Sequence, residues 1–148
     1  MKRTFLTLIL TALICAVTIA QGRVNSPKII STVPTFGDCN VDNELTEIVI
    51  KFDQDMSHRY SIPDTKNMPQ ITGKPEWNDK RTLSIPVKLH PDRLYSLQLN
   101  SWKFQGFASI DGIPLNPEDL LFKTKSISYE TLNKKAYSEF EELFLKQY

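Results

Sequence analysis

The first residues whose types and spacing suggest chemistry are Asp38, Asn40 and Asp42. They stand two apart, as the first oxygen ligands of an EF-hand calcium loop do. Such a loop also needs a glycine at its sixth position and a glutamate at its twelfth. Here those positions hold Asn43 and Val49. We therefore interpret this segment as a solvated turn rather than as a calcium site.

A second set of side chains raises the possibility of a copper site. The candidate ligands are Met56, His58, Met68 and His90, and nitrogen and thioether ligands of this kind bind copper in proteins. Periplasmic copper carriers with a sandwich fold place a histidine at or near the mature N-terminus, where this chain is predicted to have Gln21. Surface loop residues are the simpler interpretation, and a periplasmic copper carrier is kept as an alternative function.

The sequence contains no pattern that indicates covalent or acid–base catalysis. There is no G-x-S-x-G motif, and Cys39 has no evident histidine and asparagine partners. Asp53 and Asp55 share a face because they stand two apart in an extended segment, which makes a solvated rim the simpler interpretation. We predict that the protein is not an enzyme and assign it no catalytic, cofactor-binding or metal-binding residue.

Aromatic residues are concentrated in one short stretch, at Trp102, Phe104 and Phe107. If that stretch is extended, alternation places Trp102 and Phe104 on the same side. Two interpretations follow: a platform that stacks on a sugar or a partner, and a part of the core between two sheets. The sequence favours the core.

The elements that must position these residues are predicted to be strands. In Leu45–Asp53, the apolar residues Ile48, Ile50 and Phe52 alternate with mostly charged ones, which is typical of a strand with one buried face. Because a lone strand cannot bury that face, the chain must supply a second sheet.

Similar runs recur along the chain with turn residues between them. The predicted strands lie at 28–33, 45–53, 70–77, 82–87, 94–99 and 119–124, with a further short strand in 58–69 or 102–107. About seven short strands at regular spacing predict an all-β, immunoglobulin-like β-sandwich over residues 27–125. Trp77 is expected to be a buried anchor. Tyr95 is expected to be either the tyrosine of a tyrosine corner or an ordinary core residue.

The period of the apolar residues changes after Lys125. From Tyr129 to about Lys146 they recur at three and four positions without glycine or proline, which predicts a C-terminal amphipathic helix within residues 128–148. Ser128 suits the N-cap and Glu130 the first turn. Such a helix is expected either to dock on the sandwich or to await a partner.

The N-terminus has the features of a secretory signal peptide. Lys2 and Arg3 precede an apolar run from Phe5 to Ile19, which is shorter than the about 20 residues that span a bilayer. We predict a signal peptide at residues 1–20, cleaved before Gln21, with no membrane span afterwards. A retained anchor and lipidation of Cys15 are the alternatives.

Charge and cysteine content limit the function further. Removing Lys2 and Arg3 from the 18 basic residues leaves 16 against 17 acidic ones, a net charge near −1. This argues against a nucleic-acid or anionic-lipid binder, which would need a basic surface. Cys39 is the only cysteine after the predicted cleavage site, so no internal disulfide forms, and we expect it to be partly buried and inert.

Four phrases of the sequence carry a family resemblance: Ser31–Gly37, Leu45–Met56, Arg81–Val87 and Asp111–Leu115. Together they resemble the bacterial Ig-like domain first described in surface-layer proteins, the SbsA type. The F-D-Q-x-M phrase followed by D-G-x-P-L makes the resemblance specific, although Cys39 stands where a small or polar residue is usual. The resemblance implies an exported spacer or binding module without catalysis.

A shorter resemblance concerns the tail. Asn133–Phe144 is similar to the helix that opens some exported serine peptidases of the C-terminal-processing type. It would imply an accessory part of a truncated or split peptidase.

The function expected from the sequence is therefore an exported, non-catalytic Ig-like module, periplasmic or extracellular. It binds another envelope protein or a glycan, or acts as a spacer at the bacterial cell envelope. We expect a monomer.

Overall fold

The structure, a computed structural model, describes residues 25–146, without the side chains of residues 129, 143 and 144. The predicted signal peptide lies outside the described residues. The elements are β1 (Ile29–Val33), β2 (Glu47–Phe52), β3 (Gln70–Ile71), β4 (Glu76–Trp77), β5 (Thr82–Lys88), β6 (Leu94–Leu99), β7 (Glu118–Lys123) and α1 (Tyr129–Leu145).

The seven strands form two antiparallel sheets, which confirms the predicted all-β sandwich. The first sheet has the order β1-β2-β5-β3, with β4 also paired to β5, and the second pairs β6 with β7. The first order corresponds to strands A-B-E-D of an immunoglobulin constant-type sheet, and the β6–β7 pair to strands F and G. The topology is therefore immunoglobulin-like.

The core lies between the two sheets and follows the alternation of the sequence. Ile48, Ile50 and Phe52 of β2 are completely buried, and burial of such side chains stabilises the fold by roughly 1.5–3 kcal/mol each. The other core side chains from the strands alternate in the same way: Leu83, Ile85 and Val87 of β5, Tyr95, Leu97 and Leu99 of β6, and Leu120 and Phe122 of β7.

An irregular segment takes the place of a third strand in the second sheet. Residues 57–67 run beside β6, and the carbonyls of Ser61 and Asn67 accept hydrogen bonds from the N–H groups of Asn100 and Ser96, both at 2.9 Å. Pro63 lies in this segment. It has no N–H group to donate to a strand ladder, and it restricts the backbone angles of the residue before it. The segment is thus held to the sheet without forming a regular strand.

The connector after β1 joins the second sheet. The Gly37 N–H donates to the Leu121 carbonyl at 2.8 Å, and Val41 pairs in parallel with Thr124 at the end of β7. The predicted polar connector therefore buries one apolar residue, Val41, because that side chain faces the core.

Helix α1 follows the second sheet. Ser128 accepts a hydrogen bond from the Thr131 N–H at 3.2 Å and so acts as the predicted N-cap. Every helical residue whose side chain the structure describes is exposed. The helix therefore does not contribute to the core of the described residues.

Candidate binding surface at one end of the sandwich

Three loops meet at one end of the sandwich, which we call the loop end. They follow β2, precede β5 and connect β6 with β7. The Met56 N–H donates to the Lys80 carbonyl at 2.9 Å, and Met56 pairs with Ser109 in an antiparallel bridge. These contacts fix the three loops to one another.

The β6–β7 connection contains the tip loop, residues 100–107, whose base is held by Asn100. This side chain is completely buried, and its Nδ2 donates to the carbonyls of Phe107 at 2.9 Å and Leu115 at 2.8 Å. Its Oδ1 accepts from the Phe107 N–H at 2.9 Å. Asn100 has φ 60°, a left-handed conformation that asparagine tolerates better than most residues. One side chain therefore closes the loop.

A tight turn displays the aromatic side chains at the top of the tip loop. The Ser101 N–H donates to the Phe104 carbonyl at 2.8 Å, and Ser101 Oγ accepts from the Phe104 N–H at 3.0 Å. Trp102 is 84% exposed and Phe104 56% exposed. Lys103 Nζ lies 5.4 Å from the centroid of the Phe104 ring. The tip therefore presents two large apolar rings beside a cation.

The preferred interpretation of this stretch as core is wrong for Trp102 and Phe104 and right for Phe107, which is completely buried. The physical reason is that residues 101–104 turn instead of extending, so only the returning limb reaches the core. Gly106 lets this limb approach closely, since a Cβ there would overlap the Tyr60 carbonyl.

An aromatic cluster supports the tip loop from below. The Phe107 ring lies 5.9 Å from Phe52 and 6.4 Å from Trp77, and Trp77 stacks on His58 with centroids 5.2 Å apart. Trp77 packs against the core and so anchors the end of the first sheet. It is only partly buried, whereas the sequence predicts a buried residue. The tip loop therefore stands on a packed base.

The carboxylates of the loop end are held by structural partners. Arg81 Nε donates to Asp55 Oδ1 at 2.7 Å, and this hydrogen bond lowers the pKa of the Asp55 carboxyl. Asp53 Oδ1 accepts instead from the Lys28 backbone N–H at 2.8 Å. The two carboxylates therefore have different partners, a cationic side chain for Asp55 and a backbone N–H for Asp53.

The three residues with calcium-ligand spacing are used locally. Asp38 Oδ1 accepts from the Asn40 N–H at 2.8 Å, and Asp42 Oδ2 pairs with Lys125 Nζ at 2.8 Å. The Lys125 hydrogen bond also lowers the pKa of Asp42. This is the hydrogen bonding expected of a turn.

The four candidate copper ligands are divided between two ends of the sandwich. Met56 and His58 follow β2 at the loop end, whereas His90 follows β5 at the opposite end and lines a groove with Met68. β5 itself separates the ends by about 20 Å, at ~3.3 Å per residue. The structure therefore does not bring the two histidines together.

Cys39 is exposed, so the expectation that it is partly buried is wrong. The neighbouring Val41 takes the inward position beside β7 instead. Among residues 25–146, no three or more His, Cys, Asp and Glu side chains are grouped to hold a metal ion.

Two further findings concern membrane-spanning helices and similarity to known proteins. None of the helices in the described part of the chain has the length and apolar character needed to cross a membrane. No model of a known protein family and no curated protein matches the chain. The resemblance to the surface-layer Ig-like family therefore stays a prediction.

Sequence reasoning did not single out Asn100 as the residue that closes the tip loop. The available signal was an asparagine directly after an alternating strand, a residue type that accepts a positive φ. Its hydrogen-bond partners lie 7 and 15 residues away, and nothing in the sequence indicates that pairing.

Proposed function

We propose that this protein is an exported, non-catalytic Ig-like module that binds a partner at the bacterial cell envelope through its tip loop. The observation that carries the proposal is the exposure of Trp102 and Phe104 on a loop whose base is closed by a buried side chain. Interfaces draw much of their binding energy from a few aromatic and arginine anchors. A loop ordered before binding also loses less entropy when it binds.

Fold and chemistry both support a binding role. Immunoglobulin-like sandwiches commonly carry recognition residues on loops at one end of a rigid scaffold. Two carboxylates of the loop end are engaged: Asp55 pairs with Arg81 and Lys80, and Asp53 accepts from the Lys28 N–H. Among residues 25–146, no hydrogen bond, ring or cation contact accounts for the exposed Trp102 side chain at this end.

The assignment to the surface-layer type of bacterial Ig-like domain, and export to the periplasm or cell surface, are parts of the same proposal. They are supported by the sequence phrases of the sandwich and by the N-terminal apolar run Phe5–Ile19. We further propose that the sandwich acts as a monomer.

The test is binding of the purified chain to fractionated bacterial envelope. The double variant Trp102→Ala/Phe104→Ala should bind at least about tenfold more weakly than the wild type. The matched control is Leu94→Ala, because Leu94 is also 56% exposed but lies at the opposite end of β6. Equal binding by the wild type and the double variant would contradict the proposal.

A further inference from the structure

We propose that the partner of the tip loop is the surface of an anionic lipid bilayer. Trp102 and Phe104 enter the headgroup region, and Lys103 and Arg59 pair with the lipid phosphates. This inference rests on the proposed binding function and names the class of partner for the same surface.

The first argument is charge complementarity. Residues 56–63 and 100–110 contain Arg59, Lys103 and His58 and no acidic residue. The two segments touch, since the Asn100 N–H donates to the Ser61 carbonyl and the Ser57 N–H to the Ala108 carbonyl, both at 2.9 Å. Although the net charge of the chain is near −1, this local surface is therefore basic and aromatic. Local charge, rather than net charge, is what attracts a juxtaposed anionic lipid surface.

The acidic residues that flank the two segments in the sequence are Asp55, Asp64 and Asp111; the loop before β5, which bonds to Met56 through Lys80, adds Asp79 at the same end. Asp55 is paired with Arg81 and Lys80, which reduces its effect on an approaching anion. Between these flanking residues, the two segments themselves carry only the cationic side chains of Arg59 and Lys103.

The second argument is the state of the Trp102 ring. Among the described residues, no hydrogen bond, ring or cation contacts its side chain. A sugar-stacking platform depends on neighbours that fix its ring and on several polar side chains around it. In the tip loop Asn100 is buried and Ser101 bonds within the turn, which leaves Lys103 and Gln105. A bilayer interface accepts a projecting tryptophan in many orientations, and this is where Trp and Tyr concentrate in membrane proteins.

The third argument is the place where the chain enters the sandwich. Ser26 Oγ donates to the Pro114 carbonyl at 2.6 Å, and the Asp53 N–H donates to the Lys28 carbonyl at 3.0 Å. The residues before β1 thus lie at the loop end. The apolar run that ends at Ile19 is only six residues from Asn25, a reach of about 20 Å at most.

Were the apolar run retained rather than cleaved as predicted, its bilayer would lie within that reach of the loop end. If the run is cleaved as predicted, the tip binds the surface reversibly by itself. If it is retained, or if Cys15 is lipidated, two membrane-binding elements act together, as stable anchoring requires.

The test uses the chain from Gln21 onward, which keeps every described contact and lacks the apolar run. Its binding is measured by flotation with vesicles of phosphatidylcholine alone and with about 30% phosphatidylglycerol. We expect binding to the anionic vesicles and a shift of tryptophan emission to shorter wavelength. Raising the salt concentration from about 0.05 to about 0.5 M should weaken this binding at least about tenfold.

The variants separate the two contributions. Trp102→Ala/Phe104→Ala should lower the partition coefficient at least about tenfold. Lys103→Glu should weaken binding and reduce its salt dependence, because one phosphate contact is lost. Leu94→Ala and Lys88→Glu at the opposite end should bind as the wild type does. Thermal melts of all variants establish that each is folded.

Absence of vesicle binding by the folded wild type would overturn the inference, as would equal binding by Trp102→Ala/Phe104→Ala. If the same double variant loses binding to peptidoglycan or to an envelope protein while no vesicle binds, the partner is not the bilayer and the proposed function stands. If no interaction depends on the tip loop, both are wrong.

Discussion

The hydroxyl of Tyr95 accepts a hydrogen bond from the backbone N–H of His90 at 2.8 Å. Tyr95 is buried near the start of β6, and its ring lies 5.4 Å from that of Phe122. His90 belongs to the turn between β5 and β6. This is the tyrosine corner of immunoglobulin-like sandwiches, so of the two interpretations offered by the sequence the corner is confirmed.

Tyr95→Phe should lower the free energy of unfolding by about 1–2 kcal/mol, because the His90 N–H loses its acceptor while the ring still fills the core. Chemical denaturation measures the change. Tyr137→Phe on the exposed helix is the control and should have no effect. An unchanged stability of Tyr95→Phe would show that the corner bond contributes nothing.

Asn100 provides a prediction about the tip loop. Asn100→Gly removes three hydrogen bonds but accepts the positive φ, and should cost about 2–4 kcal/mol. Asn100→Ala should cost about 1 kcal/mol more, because alanine is strained at that φ. Equilibrium denaturation compares the two variants. A glycine variant less stable than the alanine variant would contradict the assigned role of the backbone conformation.

The Asp55–Arg81 pair predicts a dependence on pH. Because the pKa of Asp55 is lowered in the folded state, chiefly by the Arg81 hydrogen bond, its contribution to stability is present above the unfolded pKa of about 3.9. That contribution is lost as the pH falls through the folded pKa.

Asp55→Asn should therefore have a lower Tm than the wild type at about pH 7, and the difference should shrink as the pH falls through the lowered pKa of Asp55 in the folded state. Thermal melts across this range measure it. Asp64→Asn is the control, since no hydrogen bond or ion pair of its carboxylate is found among the described residues. A difference between wild type and Asp55→Asn that persists at low pH would show that the ion pair is not its cause.

The exposed helix predicts a tolerated truncation. A chain that ends after Lys125 keeps the Lys125 bonds to Val41 and Asp42, and every side chain it loses that the structure describes is exposed. Its free energy of unfolding should stay within about 0.5 kcal/mol of the full-length value. A chain that ends after Leu115 lacks β7 and should not fold. Global unfolding of the chain that ends after Lys125 would show that the helix is part of the core.

The regular strands of the sandwich were predictable because alternation is a local signal. Ile48, Ile50 and Phe52 must share a face in any extended backbone, and the alternation in Leu94–Leu99 predicts a strand with the bounds that the structure has. Ser128 was likewise recognisable as an N-cap from its position before an apolar period of three and four.

What the sequence did not reveal depends on contacts between distant residues. Trp102 and Phe104 alternate as in a strand, yet the Ser101 turn exposes both, and that turn is held in place by Asn100 and by the fit of Gly106 against Tyr60. Cys39 and Val41 are both apolar residues of one connector, and only the pairing of Val41 with Thr124 decides which one is buried.

The central claim is that the sandwich packs Trp77 against its core and presents Trp102 to solvent. Fluorine NMR of the protein labelled with 5-fluorotryptophan tests it most directly. Trp102→Phe assigns the two resonances, and each is measured in H2O and D2O. We predict a full solvent isotope shift for Trp102, which is 84% exposed, and a much smaller one for Trp77, which packs on Phe52 and Phe107. Equal shifts, or a larger shift for Trp77, would contradict the account.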